Sequence, residues 1–211
     1  MRLALPASAR RVPLDDPAEA VREYARIIAE LRDAPSGAAA DLEPLAAEAV
    51  DTAIRTGAFL LAVVAPPDAD PALLTAVALE VPEGWTVEVA DALRDSLEDT
   101  APDVRQTVLV ATGLGPAVIA QRVPGPEQAR VGAPMVLQVQ GFVPEPGTGR
   151  MLVLTLSAPS RRGWTVHQGL FTALVGSASP SGADTRRPSA RDPEPDHEPE
   201  GDSFEGRTYR L

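Results

Sequence analysis

Four short apolar runs in the second half of the chain constrain the fold most strongly. They span Val104 to Thr112, Ala117 to Val123, Met135 to Val143 and Met151 to Ser157. The connections Gly-Leu-Gly-Pro at 113–116 and Pro-Glu-Pro-Gly-Thr-Gly at 144–149 carry residues typical of turns. Strands joined by short loops pair as antiparallel neighbours, because a parallel pair needs a long crossover. This part of the chain therefore predicts an antiparallel meander.

The remaining elements predict helices for the faces of that sheet. Asp16 followed by Pro17 is a favoured helix start, and apolar residues at helical spacing continue to about Arg32. Further helices are predicted over Asp41 to Arg55, Val87 to Leu97 and Arg162 to Val175, and further strands over Arg2 to Leu5, Phe59 to Val64 and Leu74 to Val81. The sequence thus predicts an α+β fold, an antiparallel sheet of about six strands with helices packed on its faces.

The composition changes near Ser177, which divides the 211 residues into a body, 1–176, and a tail, 177–211. The tail contains 8 acidic and 5 basic residues, a net charge of −3, whereas the body contains 22 acidic and 14 basic residues, a net charge of −8. Few large apolar residues accompany the many Pro, Ser, Gly and acidic residues of the tail. Such a segment buries too little surface to offset its ordering entropy. We therefore predict one α+β domain followed by a disordered, acidic, Pro-rich tail.

Composition also excludes several classes of function. The chain has no Cys, which excludes disulfides, thiolate catalysis and Cys-ligated metals, and it has no Lys, which excludes a P-loop lysine. Its net charge of −11 and its lack of a basic stripe argue against nucleic-acid binding. No apolar run approaches the roughly 20 residues of a membrane span, and Pro6, Arg10 and Arg11 interrupt any secretory signal. We expect a cytoplasmic protein without a cofactor or metal, and the Arg-rich, Lys-free usage is typical of actinobacteria.

The last hairpin and helix carry a resemblance to a known superfamily. They read MVLQVQGFVPEPGTGR and RMLVLTLSAPSRRGWTVHQGLFTALVGSAS, a strand, a Pro-rich turn, a returning strand and a helix with Trp and a Leu-Phe pair. This pattern, over about residues 134–176, resembles the C-terminal half of the Mog1/PsbP-like α/β/α sandwiches, including the actinobacterial LpqN-like group. The chain departs from that group in its two N-terminal helices and in lacking a lipobox cysteine. The resemblance implies non-catalytic work, because members bind a GTPase, a photosystem or envelope components.

Four residues around the start of the last helix are the candidate partner-binding residues: Arg161, Arg162, Trp164 and His167. Two cations before a helix oppose its dipole, which hints at pairing with an acidic partner or with the chain's own acidic tail. Trp164 would mark an interface if it were exposed, although core packing is the ordinary role of a tryptophan. His167 lies on the apolar stripe of the helix, where a packing histidine is the favoured interpretation.

These observations favour a non-enzymatic protein-interaction module with a protein partner. One alternative is an acidic immunity-like or chaperone-like protein that masks a basic partner, for which binding would weaken steeply with salt. The other is an enzyme that uses carboxylates with His167 as a base. That enzyme would require a deep pocket in which His167 lies within hydrogen-bond distance of a buried Asp or Glu.

Overall fold

Seven antiparallel strands form one open sheet in the computed structural model, which describes residues 1–35, 37–81, 84–123 and 136–181. They are β1 (Ala9–Val12), β2 (Leu60–Val64), β3 (Ala72–Glu80), β4 (Val104–Thr112), β5 (Gly115–Arg122), β6 (Leu137–Glu145) and β7 (Arg150–Ala158). The order across the sheet is β1-β2-β3-β7-β6-β5-β4. The predicted α+β class is confirmed, and so is the meander, since β4 to β7 are consecutive neighbours.

The first strand is formed by Ala9–Val12 and not by the predicted Arg2 to Leu5. Arg2 to Leu5 forms a single bridge, between Arg2 and Ser179, while Ala9–Val12 pairs with β2 along four residues. The sequence of β1 is Ala-Arg-Arg-Val, and its two charged residues interrupt the apolar pattern from which a strand is predicted. An edge strand tolerates them, because one side of it has no neighbouring strand and remains open to water. Arg10 is accordingly paired with Glu30 of the first helix at 2.7 Å.

Within these described ranges, four helices lie against the sheet: α1 (Pro17–Leu31), α2 (Ala38–Arg55), α3 (Val87–Thr100) and α4 (Trp164–Gly176). The predicted cap of α1 is confirmed, since the Asp16 carboxylate accepts hydrogen bonds from the backbone N–H groups of Ala18 and Glu19 at 2.9 and 3.3 Å. Thr86 caps α3 in the same way through the N–H of Val89.

The helices cover the two faces of the sheet unequally. α4 and the N-terminal residues cover one face, which we call the α4 face, and bury the largest apolar cluster, with Phe171 and Leu154 at its centre. The opposite face, the α3 face, has two separate clusters. One lies under α1 and α2 over β1 and β2, and the other lies under α3 over β5 and β6. The result is a layered arrangement with the sheet between helices.

A row of polar side chains crosses the α3 face between its two apolar clusters. Arg122 donates to Gln140 at 2.7 Å and to the Asp103 carboxylate at 2.9 Å, and Gln140 donates to Thr155 at 3.5 Å. Because these groups satisfy one another, neighbouring strands can carry them without burying an unpaired polar atom. α3 packs against β4 and β5, and α1 packs against β1, so these helices lie towards opposite edges of this face.

The folded body continues past the predicted boundary at Ser177. Ala178 is buried, its carbonyl accepts from the N–H of Gly113 at 2.9 Å, and Ser177 accepts from the N–H of Ala4 at 2.9 Å. Residues 177–181 therefore belong to the body. The rest of the predicted disordered tail, 182–211, lies outside the described residues, and its disorder stays a prediction.

Candidate protein-interaction surface

His167, one of the four predicted partner-binding residues, is a core side chain. It is 0% exposed, and its Nε2 lies 2.7 Å from the backbone carbonyl oxygen of Asp70. A carbonyl oxygen only accepts, so Nε2 carries the hydrogen of the ring. No surface on which a partner could contact His167 exists in this arrangement, which agrees with the packing interpretation.

The turn before α4 is locked to the turn before β3 through Asp70. The Asp70 carboxylate accepts from the Ser160 hydroxyl at 2.6 Å and lies 3.6 Å from the Arg162 guanidinium. The Ser160 oxygen in turn accepts from the backbone N–H of Arg162 at 3.0 Å. Gly163 has φ +71°, and a Cβ atom there would lie 2.0 Å from the Cβ of Ala69. These contacts fix where α4 begins.

The same contacts give no support to a carboxylate–histidine enzyme. Ser160, Asp70 and His167 lie together, but His167 contacts the backbone of Asp70 and not its carboxylate. A base must reach the proton that it removes, and the His167 ring is hydrogen-bonded to neither the Ser160 hydroxyl nor the Asp70 carboxylate among the described residues. The trio is therefore a structural lock.

The other two candidate side chains differ in exposure. Trp164 is half-buried and packs against the core of the α4 face, whereas Arg161 is exposed. Arg162 is exposed as well, with its guanidinium directed to Asp70. The four predicted residues thus contribute two surface cations and no continuous surface.

The long free edge of the sheet at β4 is a surface that the sequence did not single out. β4 has nine residues, and among the described residues no strand pairs with its outer side. Its one charge, Arg105, lies where the register with β5 shifts, and Val108 and Leu109 at its centre are 37% and 36% exposed. The opposite edge, β1, has four residues, two of them Arg. Short, charged edges resist strand addition, and long apolar ones favour it.

The register with β5 shows which backbone groups of β4 point outward. Ala111 faces Pro116, which has no N–H and cannot complete a hydrogen-bonded pair. Ala111 therefore belongs to a non-hydrogen-bonded pair, in which N–H and C=O point away from the partner strand. Pair types alternate along the ladder, so Leu109 and Thr107 also direct their backbone groups outward. These three residues provide the donors and acceptors that an added strand needs.

An acidic helix borders this edge on the α3 face. The Thr107 hydroxyl donates to the Glu98 carboxylate, which places that side of α3 along β4. Arg94, one turn earlier, contacts Asp91 at 2.7 Å and Asp95 at 2.8 Å, and the hydrogen bond to Asp95 raises the pKa of Arg94 above its ordinary value. With five carboxylates and one Arg, α3 carries a net charge of −4.

A groove borders the same edge on the α4 face. It lies between α4 and strands β4 to β6, has a volume of about 650 Å³, and is lined by residues that include Val108, Ile119 and Val139 on the sheet and Gln168, Gly169 and Thr172 on α4. Gly169 leaves open space where a side chain would project. Gln168 donates to Gln121 across the floor at 2.7 Å. The β4 edge is therefore flanked by carboxylates on one face and by a partly apolar groove on the other.

Comparisons with known proteins assign neither a family nor a function to this chain. The chain matches no protein-family model, and the search of curated proteins finds no relative. Among the described residues, no helix is both long enough and apolar enough to cross a bilayer.

Proposed function

We propose that this protein is a non-enzymatic protein-interaction module that binds an extended segment of a partner by adding it as a strand at β4. The observation that carries this proposal is the outer side of β4, where Thr107, Leu109 and Ala111 present N–H and C=O groups that no described strand satisfies. Strand addition is a common mode of peptide recognition, in which backbone hydrogen bonds give affinity and flanking pockets give specificity. Both flanking elements are present here, as α3 and the groove.

The charges of the chain argue that the added strand comes from a partner and not from a second copy. A two-fold pairing of β4 with itself would bring two α3 helices, each with a net charge of −4, to the same junction. Like charges in opposition disfavour that contact. The chain as a whole has a net charge of −11, so repulsion between copies is general.

We extend the proposal to the superfamily of the protein and to its location in the cell. A sheet between helical layers supports the Mog1/PsbP-like resemblance, and the non-catalytic binding roles of that superfamily fit a module of this kind. An experimental structure superposed on a member tests the kinship, and cell fractionation tests the cytoplasmic location.

The experiment is a peptide selection followed by amide hydrogen exchange. A library of random extended peptides is selected against the full chain, and the exchange of backbone amides is measured by NMR with and without the best binder. We expect the amides of Thr107, Leu109 and Ala111 to become protected, because each gains a backbone acceptor. Protection elsewhere, with β4 unchanged, would refute the proposal.

A pair of variants at Leu109 isolates the backbone contribution. Leu109→Pro removes one outward donor, and an edge strand tolerates proline where the N–H faces solvent. Leu109→Ala keeps the donor and shortens the same side chain. We expect the proline variant to keep its circular dichroism spectrum and to bind about two- to tenfold more weakly than the alanine variant, since a hydrogen bond contributes about 0.5–1.5 kcal/mol. Equal binding by two folded variants would contradict strand addition.

A further inference from the structure

We infer that the strand bound at β4 is basic, with Lys or Arg at alternate positions facing α3 and small apolar residues between them facing the groove. This inference rests on the proposed function and goes beyond it by naming the chemistry of the partner segment. Its basis is the difference between the two flanks of one edge: carboxylates on the α3 face and a partly apolar groove on the α4 face.

The side-chain alternation of a strand assigns each position to one flank. Successive residues of a strand point to opposite faces, and an added strand lies about 4.8 Å from its neighbour. Residues opposite Thr107, Leu109 and Ala111 therefore project on the α3 face. The Thr107–Glu98 hydrogen bond shows that α3 lies beside these positions. Asp91 precedes Glu98 by seven residues, two helical turns, and so lies on the same side of the helix.

The carboxylates on this side of α3 exceed the cations available to them. Arg94 is bound to both Asp91 and Asp95, so one positive charge is shared between two negative ones. Glu98 forms no salt bridge within the part of the chain that the structure describes. Cationic side chains arriving on an added strand would complete these pairs, whereas acidic side chains would be repelled.

The groove on the other flank suits small apolar side chains. Its floor is formed by Ile119 and Val139, which are 6% and 3% exposed, beside the more exposed Val108 of β4 itself. The α4 wall recedes at Gly169, where no atom lies within 4 Å of the position that a Cβ would take. A valine or alanine on the added strand would cover Val108 from water there.

The test compares three peptides of equal length by calorimetry with the full chain. The probe is Val-Lys-Val-Lys-Val-Lys-Val, the charge control is Val-Glu-Val-Glu-Val-Glu-Val, and the pattern control is Lys-Lys-Lys-Val-Val-Val-Val. We expect the alternating Lys peptide to bind about tenfold or more tightly than either control, and to weaken between about 50 mM and about 500 mM salt, because its ion pairs are exposed and screened.

Charge-neutralising variants assign the preference to α3. Glu98→Gln and Asp91→Asn should each reduce the difference between the Lys and Glu peptides severalfold, because each removes one carboxylate facing the added strand. Asp15→Asn removes the same charge from an exposed position before α1, near the opposite edge of the sheet, and should leave the difference intact. Equal loss in all three variants would show that net charge alone directs binding and would overturn the inference.

The outcomes separate this inference from the proposed function. Equal binding of the Lys and Glu peptides, with the β4 amides protected by both, would overturn the basic preference and leave strand addition in place. The absence of β4 protection by these peptides and by selected binders alike would overturn both. A dimer of the full chain that Leu109→Pro dissociates would identify a second copy as the occupant, and would overturn the inference.

Discussion

Phe171 and Gly141 meet where α4 crosses β6, and we expect their substitutions to be strongly coupled. Phe171 is 1% exposed, and a Cβ atom at Gly141 would lie 3.1 and 3.2 Å from two atoms of its ring and 2.8 Å from a methyl of Val175. Ordinary contacts of this kind begin near 3.4 Å. The helix thus approaches the sheet through the space that the absent side chain of Gly141 provides.

Each single change removes part of this fit. Phe171→Ala empties a buried site and should lower the free energy of unfolding by about 3–5 kcal/mol. Gly141→Ala forces the helix or its side chains away from the strand and should cost about 1–3 kcal/mol, as overpacking does. In the double variant the two ring contacts are gone, and the Val175 methyl, which would still lie 2.8 Å from the new Cβ, can shift into the space that the ring has left. The cost of Gly141→Ala should then fall below about 1 kcal/mol, giving a coupling of about 1–2 kcal/mol.

Urea unfolding followed by far-ultraviolet circular dichroism measures all four proteins. Thr172→Ala, at the exposed position next to Phe171, is the control and should change stability by no more than about 0.5 kcal/mol. Additive losses, within about 0.3 kcal/mol, would refute the contact between Phe171 and Gly141. A loss below about 1 kcal/mol for Phe171→Ala alone would show that α4 does not dock on the sheet at all.

Three further predictions address the other features. At Gly163 the φ is +71°, and a Cβ atom would lie 2.4 Å from the Cα of Ala69, a contact that no rotamer relieves. Gly163→Ala should therefore lower the free energy of unfolding by about 2 kcal/mol or more and lower Tm. An unchanged Tm would refute the close contact between the turns before α4 and β3. Burial raises the pKa of the Tyr24 phenol above 10.0, against an opposing effect of Arg32, so this group stabilises the fold below pH 10 and the contribution is lost as pH rises through the raised pKa. In a Tyr209→Phe background the absorbance titration of Tyr24 should have a higher midpoint when folded than in guanidinium, and equal midpoints would contradict its burial. Arg161→Ala should change stability by about 0.5 kcal/mol at most, and a larger loss in calorimetry would show a contact that Arg161 does not make in this structure.

Elements with local signals could be predicted from the sequence, and β1 could not. The Asp16–Pro17 start of α1 and the short connections of the meander depend on neighbouring residues, so they are visible in the sequence. β1 depends on residues far along the chain, because Val12 pairs with Leu61 and Arg10 binds Glu30. An arginine pair appears as surface charge until its partners are known.

The candidate site illustrates the same limit. The sequence indicated a conflict between Arg162 and the helix dipole, but Asp70, which relieves it, lies 92 positions earlier. The free edge at β4 could not be predicted from the sequence for a related reason. The meander prediction made β4 a terminal strand of that unit, but only the pairing of β3 with β7 shows that no described strand of the N-terminal half covers it.

The pairing of β3 with β7 also has a consequence for synthesis on the ribosome. The two halves of the sheet are joined by this one ladder, from Leu73–Ser157 to Glu80–Arg150. Seventy residues separate Glu80 from Arg150, which at about 5–20 residues per second is roughly 4–14 s of translation. Throughout that interval the N-terminal strands would expose β3, with its Leu and Val side chains, as an unpaired edge. A chaperone that binds nascent chains would have the opportunity to bind β3 during that interval, and slow codons after Glu80 would lengthen it.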